Sequence, residues 1–121
     1  MNSGAYQITL ELTSDLEIMV GRLGLCRFPK GKYIYTGSAM KNLRQRVSRH
    51  LSAGKKIKWH IDYLLSDSSC RILNAALFYS DIREECELNL KTMLEMGASV
   101  PVKGFGSSDC RKCESHLVYL G

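Results

Sequence analysis

No aspartate or glutamate occurs between Glu17 and Asp62. The chain has no apolar run near the length of about 18 residues that a membrane-spanning helix needs. Its first residues, MNSGAYQITLELTSD, have neither the basic start nor the apolar stretch of a secretory leader. These two absences lead us to expect a cytoplasmic protein with no membrane association. No internal repeat, low-complexity tract or linker interrupts the 121 residues, which fit one domain with a modest core. The five cysteines are an odd number. Without a leader, they argue for reduced thiols and against a disulfide framework.

What fills the acid-free stretch is positive charge. Eleven of the 17 Lys and Arg residues lie there: Arg22, Arg27, Lys30, Lys32, Lys41, Arg44, Arg46, Arg49, Lys55, Lys56 and Lys58. A one-signed stretch raises the local potential by several kT and attracts a polyanion. The same charges also suit a solvated face with no partner.

Hydrophobic periodicity orders the chain into elements. GAYQITLEL, residues 4 to 12, alternates as a strand with Tyr6, Ile8, Leu10 and Leu12 on one face. Residues 16 to 23 read as a second strand in a hairpin with the first, residues 24 to 30 as a loop, and residues 32 to 36 as a third strand. Leu43, Val47 and Leu51 then fall at i, i+4 and i+8, the stripe of a helix over 40 to 53 capped by Gly54. Residues 59 to 65 predict a short helix and residues 71 to 79 a strand. Residues 83 to 96 predict a helix with Cys86, Leu90, Met93 and Leu94 inward and Gly97 as stop. Residues 115 to 120 predict a final strand. The class is α+β, a small mostly antiparallel sheet flanked by helices.

Residues 31 to 46, GKYIYTGSAMKNLRQR, gather groups that chemistry can use. Tyr33 and Tyr35 share a sheet face. Gly37 ends that strand and, lacking a Cβ, admits a close neighbour. Arg46 and His50 stand one above the other at i and i+4, beside the helix's apolar stripe. A guanidinium there grips a phosphate through two bonds, and a tyrosine hydroxyl orients a water or takes its proton. Aromatic packing under a solvated basic helix is the plainer alternative.

Gly4-Ala5-Tyr6 on the first strand, Tyr35-Thr36-Gly37 on a later one and Asn42-Leu43-Arg44-Gln45-Arg46 opening a helix resemble the GIY-YIG nuclease signature. GSA, RHL, WHIDYLL and GFGSSDC resemble a small stand-alone branch of that superfamily. The resemblance implies a metal-dependent endonuclease acting on nucleic acid, DNA before RNA, with DNA repair as its natural setting. It implies that Tyr6 and Tyr35 handle the attacking water, that Arg46 stabilises the scissile phosphate and that His50 contacts phosphate or water. It places one Mg²⁺ or Mn²⁺ on Glu85, with Glu87 as the alternative carboxylate. Ser38 stands where repair nucleases often carry a lysine, and residues 13 to 30 hold an additional strand. Gly37, Ser38, Lys41, Arg44, Arg49, Lys55, Lys56 and Lys58 are the nucleic-acid-binding candidates. A compact domain of this kind often works with a protein partner or as a homo-oligomer. The competing reading is a DNA- or RNA-binding module whose basic 22–58 region binds while the catalytic parts are vestigial.

Two further clusters stand out. In WHIDYLL, His60 is a second acid–base or phosphate candidate, or a helix cap, and Asp62 is suited to orient a neighbouring basic side chain. Trp59 fills the core or stacks on an unpaired base. In GFGSSDCRKCESH, Ser107, Ser108 and Asp109 predict a tight loop whose N–H groups suit phosphate. Cys110, Cys113 and His116 carry zinc-type donors. Their missing fourth ligand would be Cys86, Asp109 or His60, and a buried-thiol or redox role competes with metal.

Overall fold

The computed structural model describes residues 1–54, 56–107 and 113–121. The architecture is α+β, with a four-stranded antiparallel sheet, a two-stranded sheet and, among the described residues, three α-helices. The strands are β1 (Gly4–Leu12), β2 (Leu16–Met19), β3 (Leu25–Phe28), β4 (Gly31–Ala39), β5 (Cys70–Tyr79) and β6 (Leu117–Tyr119). The helices are α1 (Leu43–Leu51), α2 (His60–Leu65) and α3 (Glu85–Met96).

The large sheet runs β5-β1-β4-β6. This corrects the expected β1–β2 hairpin. A strand has only two edges, and β1 gives one to β4 along Gly4↔Ala39 to Leu12↔Gly31 and the other to β5. β2 pairs instead with β3, as a separate ribbon. Residues 25 to 28, expected as loop because Pro29 follows them, are therefore a strand, with Cys26 and Phe28 turned inward and Leu25 and Arg27 outward. Gly37 does not end β4, which continues to Ala39.

The two faces of the large sheet are packed differently. Tyr6, Ile8, Leu10 and Leu12 of β1 and Tyr33 and Tyr35 of β4 enter the apolar core. Leu43 and Val47 of α1, Ile61 and Leu64 of α2, and Phe28 and Phe105 pack into the same cluster. Each large side chain buried there contributes about 1.5–3 kcal/mol. Leu51, expected in the α1 stripe, is 47% exposed, because the helix ends there with Ser52, not Gly54, at its C-cap.

On the other face, Gln7 Nε2 donates to Thr92 Oγ1 at 2.7 Å and to Thr36 Oγ1 at 3.1 Å, which ties α3 to the sheet by polar contacts. The inward residues of α3 are accordingly Asn89 and Thr92. The expected inward leucines, Leu90 and Leu94, are exposed. Gly97 stops the helix as expected, in the left-handed conformation, with its N–H on Met93 O.

Candidate active site

The site begins with a close approach between two strands. Tyr6 stands opposite Gly37 across the β1–β4 ladder. A Cβ on Gly37 would lie 2.5 Å from the Tyr6 hydroxyl, so only glycine lets the ring lie across β4. Gly106 does the same for the second tyrosine. Its φ of +68° suits glycine, and a Cβ there would sit 2.8 Å from the Tyr35 ring. The two tyrosine rings end with centroids 6.3 Å apart.

Helix α1 brings up the next groups. His50 is buried, and its Nε2 is 2.8 Å from the Tyr6 hydroxyl. Its Nδ1 is 3.7 Å from Asp62 Oδ1. Asp62, the third residue of α2, reaches back to accept the N–H groups of Lys58 and Trp59 at 2.9 Å each. It also accepts both terminal nitrogens of Arg49, at 3.2 and 3.1 Å. Burial alone would raise the Asp62 carboxyl. The bonds from Arg49, Trp59 and Lys58 outweigh it and hold the group below the usual carboxylate range. A charge so deeply buried persists only when it is paired in this way.

Arg46, one turn before His50, donates from Nη1 to Ser38 O at 2.8 Å. Its guanidinium lies 4.9 Å from the Trp59 ring centroid, with those of Arg49 and the Lys58 ammonium each at 4.6 Å. The indole thus gathers three cations at one place, each attracted by its π-system. Its ring is occupied by protein groups, which leaves little of it for an unpaired base.

These groups open onto one polar cleft, lined by Tyr6, Tyr35, Gly37, Ser38, Arg46, Trp59, Arg83, Glu85, Gly106 and His116. Glu85 is the first residue of α3, and its Oε1 is 3.8 Å from Arg83 Nη1. Burial pushes both tyrosine hydroxyls well above the usual phenol range. Each is raised further by neighbouring acidic groups, while the Arg46 charge pulls the other way. Burial lowers the pKa of His116, against a hydrogen bond with the Gly106 backbone that raises it.

Of the residues singled out from sequence, Tyr6, Tyr35, Gly37, Ser38, Arg46 and Glu85 meet in the cleft, and His50 stands directly behind Tyr6. His60 does not line it. Its Nδ1 accepts the Gly106 N–H at 2.9 Å, so it holds the loop that presses on Tyr35. Burial lowers its pKa, which favours the neutral ring that this bond requires. Glu87 is exposed, outside the cleft lining. Lys41, Arg44, Lys56 and Lys58 are exposed, whereas Arg49 is turned to Asp62.

The expected phosphate-binding loop is spent internally where it is described. The Gly104 N–H goes to Glu114 O at 2.6 Å, the Gly106 N–H to His60, and the Ser107 hydroxyl to Glu114 O at 3.3 Å. Lys55, Ser108, Asp109 and Cys110 lie outside the described residues. Arg83 and His116 are cleft residues that the sequence reading did not place there. Arg83 carried no local signal. His116 had drawn notice only for its spacing from the cysteines.

Cys86 Sγ, Cys113 Sγ and a His116 ring nitrogen lie within 4.8 Å of one another. This cluster could hold a metal ion, and its soft sulfur and imidazole donors suit zinc rather than magnesium. Of the residues considered for a further ligand, Cys86 lies beside Cys113 and His116, and Asp109 is outside the described residues. Cys26, Cys70 and Cys113 form no disulfide, but Cys86 is disulfide-bonded, which corrects the expectation of five reduced cysteines.

No helix of the described residues is long and apolar enough to cross a membrane. No curated protein and no solved structure matches the chain. The model of one family, described as a domain of unknown function, DUF123, matches residues 5–121, and the chain belongs to that family.

Proposed function

We propose that the chain is a metal-dependent endonuclease of GIY-YIG type that hydrolyses phosphodiester bonds in nucleic acid, DNA before RNA. The observation that carries this reading is the meeting of Tyr6, Tyr35, Arg46 and Glu85, from four separate stretches of sequence, in one polar cleft. His50 within hydrogen-bond reach of Tyr6 completes it.

With their hydroxyls pushed up by burial, neither tyrosine stands as a phenolate near neutral pH. The Tyr6–His50 pair resolves this. Tyr6 takes a proton from the attacking water as it passes its own to His50 Nε2, and Asp62 faces the imidazolium that results. This is general base catalysis by relay, with geometry inside hydrogen-bond range. It requires the tautomer of His50 that carries its hydrogen on Nδ1. Arg46, anchored on Ser38 O, offers its remaining N–H groups to the phosphate as charge develops.

Glu85 would hold one Mg²⁺ or Mn²⁺. The fit is chemical: a single hard carboxylate in a polar cleft leaves the other positions to water and phosphate oxygens, which is how Mg²⁺ is commonly bound. Such an ion, when bound, polarises the phosphate and stabilises the leaving oxygen. Arg83 sits close enough to Glu85 to orient the carboxylate.

The test is cleavage of labelled nicked, damaged and branched DNA and of structured RNA with Mg²⁺ or Mn²⁺, beside Glu85→Ala and Tyr6→Phe. Cleavage should be lost to chelator and to both substitutions. Binding without cleavage of any substrate would replace it with the binding module, acting through the exposed Lys41, Arg44, Lys56 and Lys58. Activity that survives Glu85→Ala would move the metal to Glu87 or dismiss the activity as contamination.

A further inference from the structure

The cleft reading leaves Cys86, Cys113 and the imidazole of His116 without a role. The geometry points to a redox-gated zinc site, in which Cys86 Sγ, Cys113 Sγ and His116 Nε2 bind one Zn²⁺ once Cys86 is reduced. Zinc bonds of about 2.3 Å to sulfur and about 2.0 Å to nitrogen, at a tetrahedral angle, place S and N about 3.5 Å apart. Cys86 Sγ and His116 Nε2 are 3.7 Å apart, and all three donors lie within 4.8 Å. Small rotamer shifts therefore suffice.

The two sides of the site are already docked. Asn89, one turn along α3 from Cys86, donates to Ser115 O at 2.7 Å. The His116 backbone is fixed by its N–H to Phe105 O and by Thr36 N–H to its own carbonyl, at 2.9 Å each. Zinc would join the start of α3, next to Glu85, to the segment entering β6. Three protein donors leave the fourth position for water or a bound group.

The disulfide of Cys86 makes loading conditional. A dithiol reductant supplies two electrons and two protons. The S–S bond breaks to two thiols, and the reductant becomes a disulfide. Zn²⁺ then replaces the thiol protons of Cys86 and Cys113, which pass to solvent, and binds the neutral imidazole of His116. A small-molecule disulfide reverses this: it takes the two electrons and leaves as a dithiol, the S–S bond of Cys86 re-forms, and the ion is expelled to solvent. Zinc binding at these three donors does not require nuclease activity.

The experiment loads the full chain with Zn²⁺ or Co²⁺ after reduction and removal of the reductant, and again after oxidation. Native mass spectrometry counts ions, and the thiolate-to-cobalt absorption band reports sulfur ligation. We expect one ion in the reduced chain and none in the oxidised chain. Cys113→Ser and His116→Gln should each weaken binding by at least about tenfold. Cys70→Ser should leave it intact, with far-UV circular dichroism confirming that each variant is folded. A reduced, folded chain that binds no ion, a cobalt spectrum without the thiolate band, or binding indifferent to Cys113→Ser and His116→Gln would overturn the site. Equal binding by the oxidised chain would overturn its redox gating.

Discussion

One sheet carries two unlike faces. The first is closed by apolar packing of Ile8, Leu10, Tyr33 and Phe105. The second is closed by the hydrogen bonds of Gln7 with Thr36 and Thr92. The cleft takes residues from both, with Tyr6 and Tyr35 from the first and Glu85 from the helix seated on the second. Apolar packing is nondirectional and tolerates small shifts, whereas a hydrogen bond fixes register. The polar face is therefore the one suited to set where the first turn of α3 points Glu85 and Cys86.

The largest effects should separate stability from activity. Ile8→Ala on the apolar face leaves a cavity at a fully buried position and should cost about 2–5 kcal/mol in denaturant unfolding. Arg46→Ala, in the lining of the cleft, should cost only the bond to Ser38 O, about 0.5–1.5 kcal/mol, and lower cleavage by about 10²–10³. A matching loss of stability in Arg46→Ala would instead mark the arginine as a packing residue.

On the polar face, Thr92→Val removes the shorter of the two bonds that the Gln7 amide donates, leaving the one to Thr36, and should destabilise by about 0.5–1.5 kcal/mol. The double variant Gln7→Leu/Thr92→Val removes both partners and should recover part of that loss. If α3 is held by packing instead, the two changes will simply add in a double-mutant cycle. Under the register argument, Thr92→Val should also lower cleavage by more than its stability loss accounts for.

The two faces differ too in how well the sequence revealed them. The apolar one was legible because alternation in GAYQITLEL and the Leu43–Val47 spacing report burial directly. The α3 face was not. Its inward residues are Asn89 and Thr92, which no hydrophobic pattern marks, and its leucines point outward. The β1–β2 hairpin misled for another reason: local alternation identifies a strand, but its partner is settled by competition for sheet edges. Tyr35, Arg46 and His50 were marked by strand alternation and helix spacing, whereas the roles of all three, and Tyr6 and Glu85 themselves, came from resemblance to a known signature. Arg83 reaches the cleft by long-range folding, which spacing along the chain cannot show, and for the same reason Cys86 could be named beside Cys113 and His116 only as one of several candidates.

A smaller effect concerns pH. Burial lowers the His60 pKa in the folded chain, so between that value and the unfolded one, about 6.5, the unfolded chain binds more protons. Stability is then intact above about pH 6.5 and falls as the pH drops through this window. His60→Asn keeps an acceptor for the Gly106 N–H but removes the titration. The melting temperature of the native chain should decline between about pH 7 and about pH 5, more steeply than that of the variant. Parallel curves would mean that His60 is protonated as readily folded as unfolded.

The smallest effect distinguishes two cations that look alike in sequence. Lys41 is exposed beside the start of α1, whereas Arg49 is held by the buried Asp62. If the exposed basic surface meets phosphates, Lys41→Ala should weaken nucleic-acid binding modestly and lower the slope of log affinity against log salt by about 1. It should leave the folded state untouched. Arg49→Ala should do the reverse, lowering stability by uncovering the Asp62 carboxylate while changing the salt slope little. Equal salt slopes in both variants would show that phosphate contact does not follow exposure, and that Arg49 turns away from Asp62 when nucleic acid is bound.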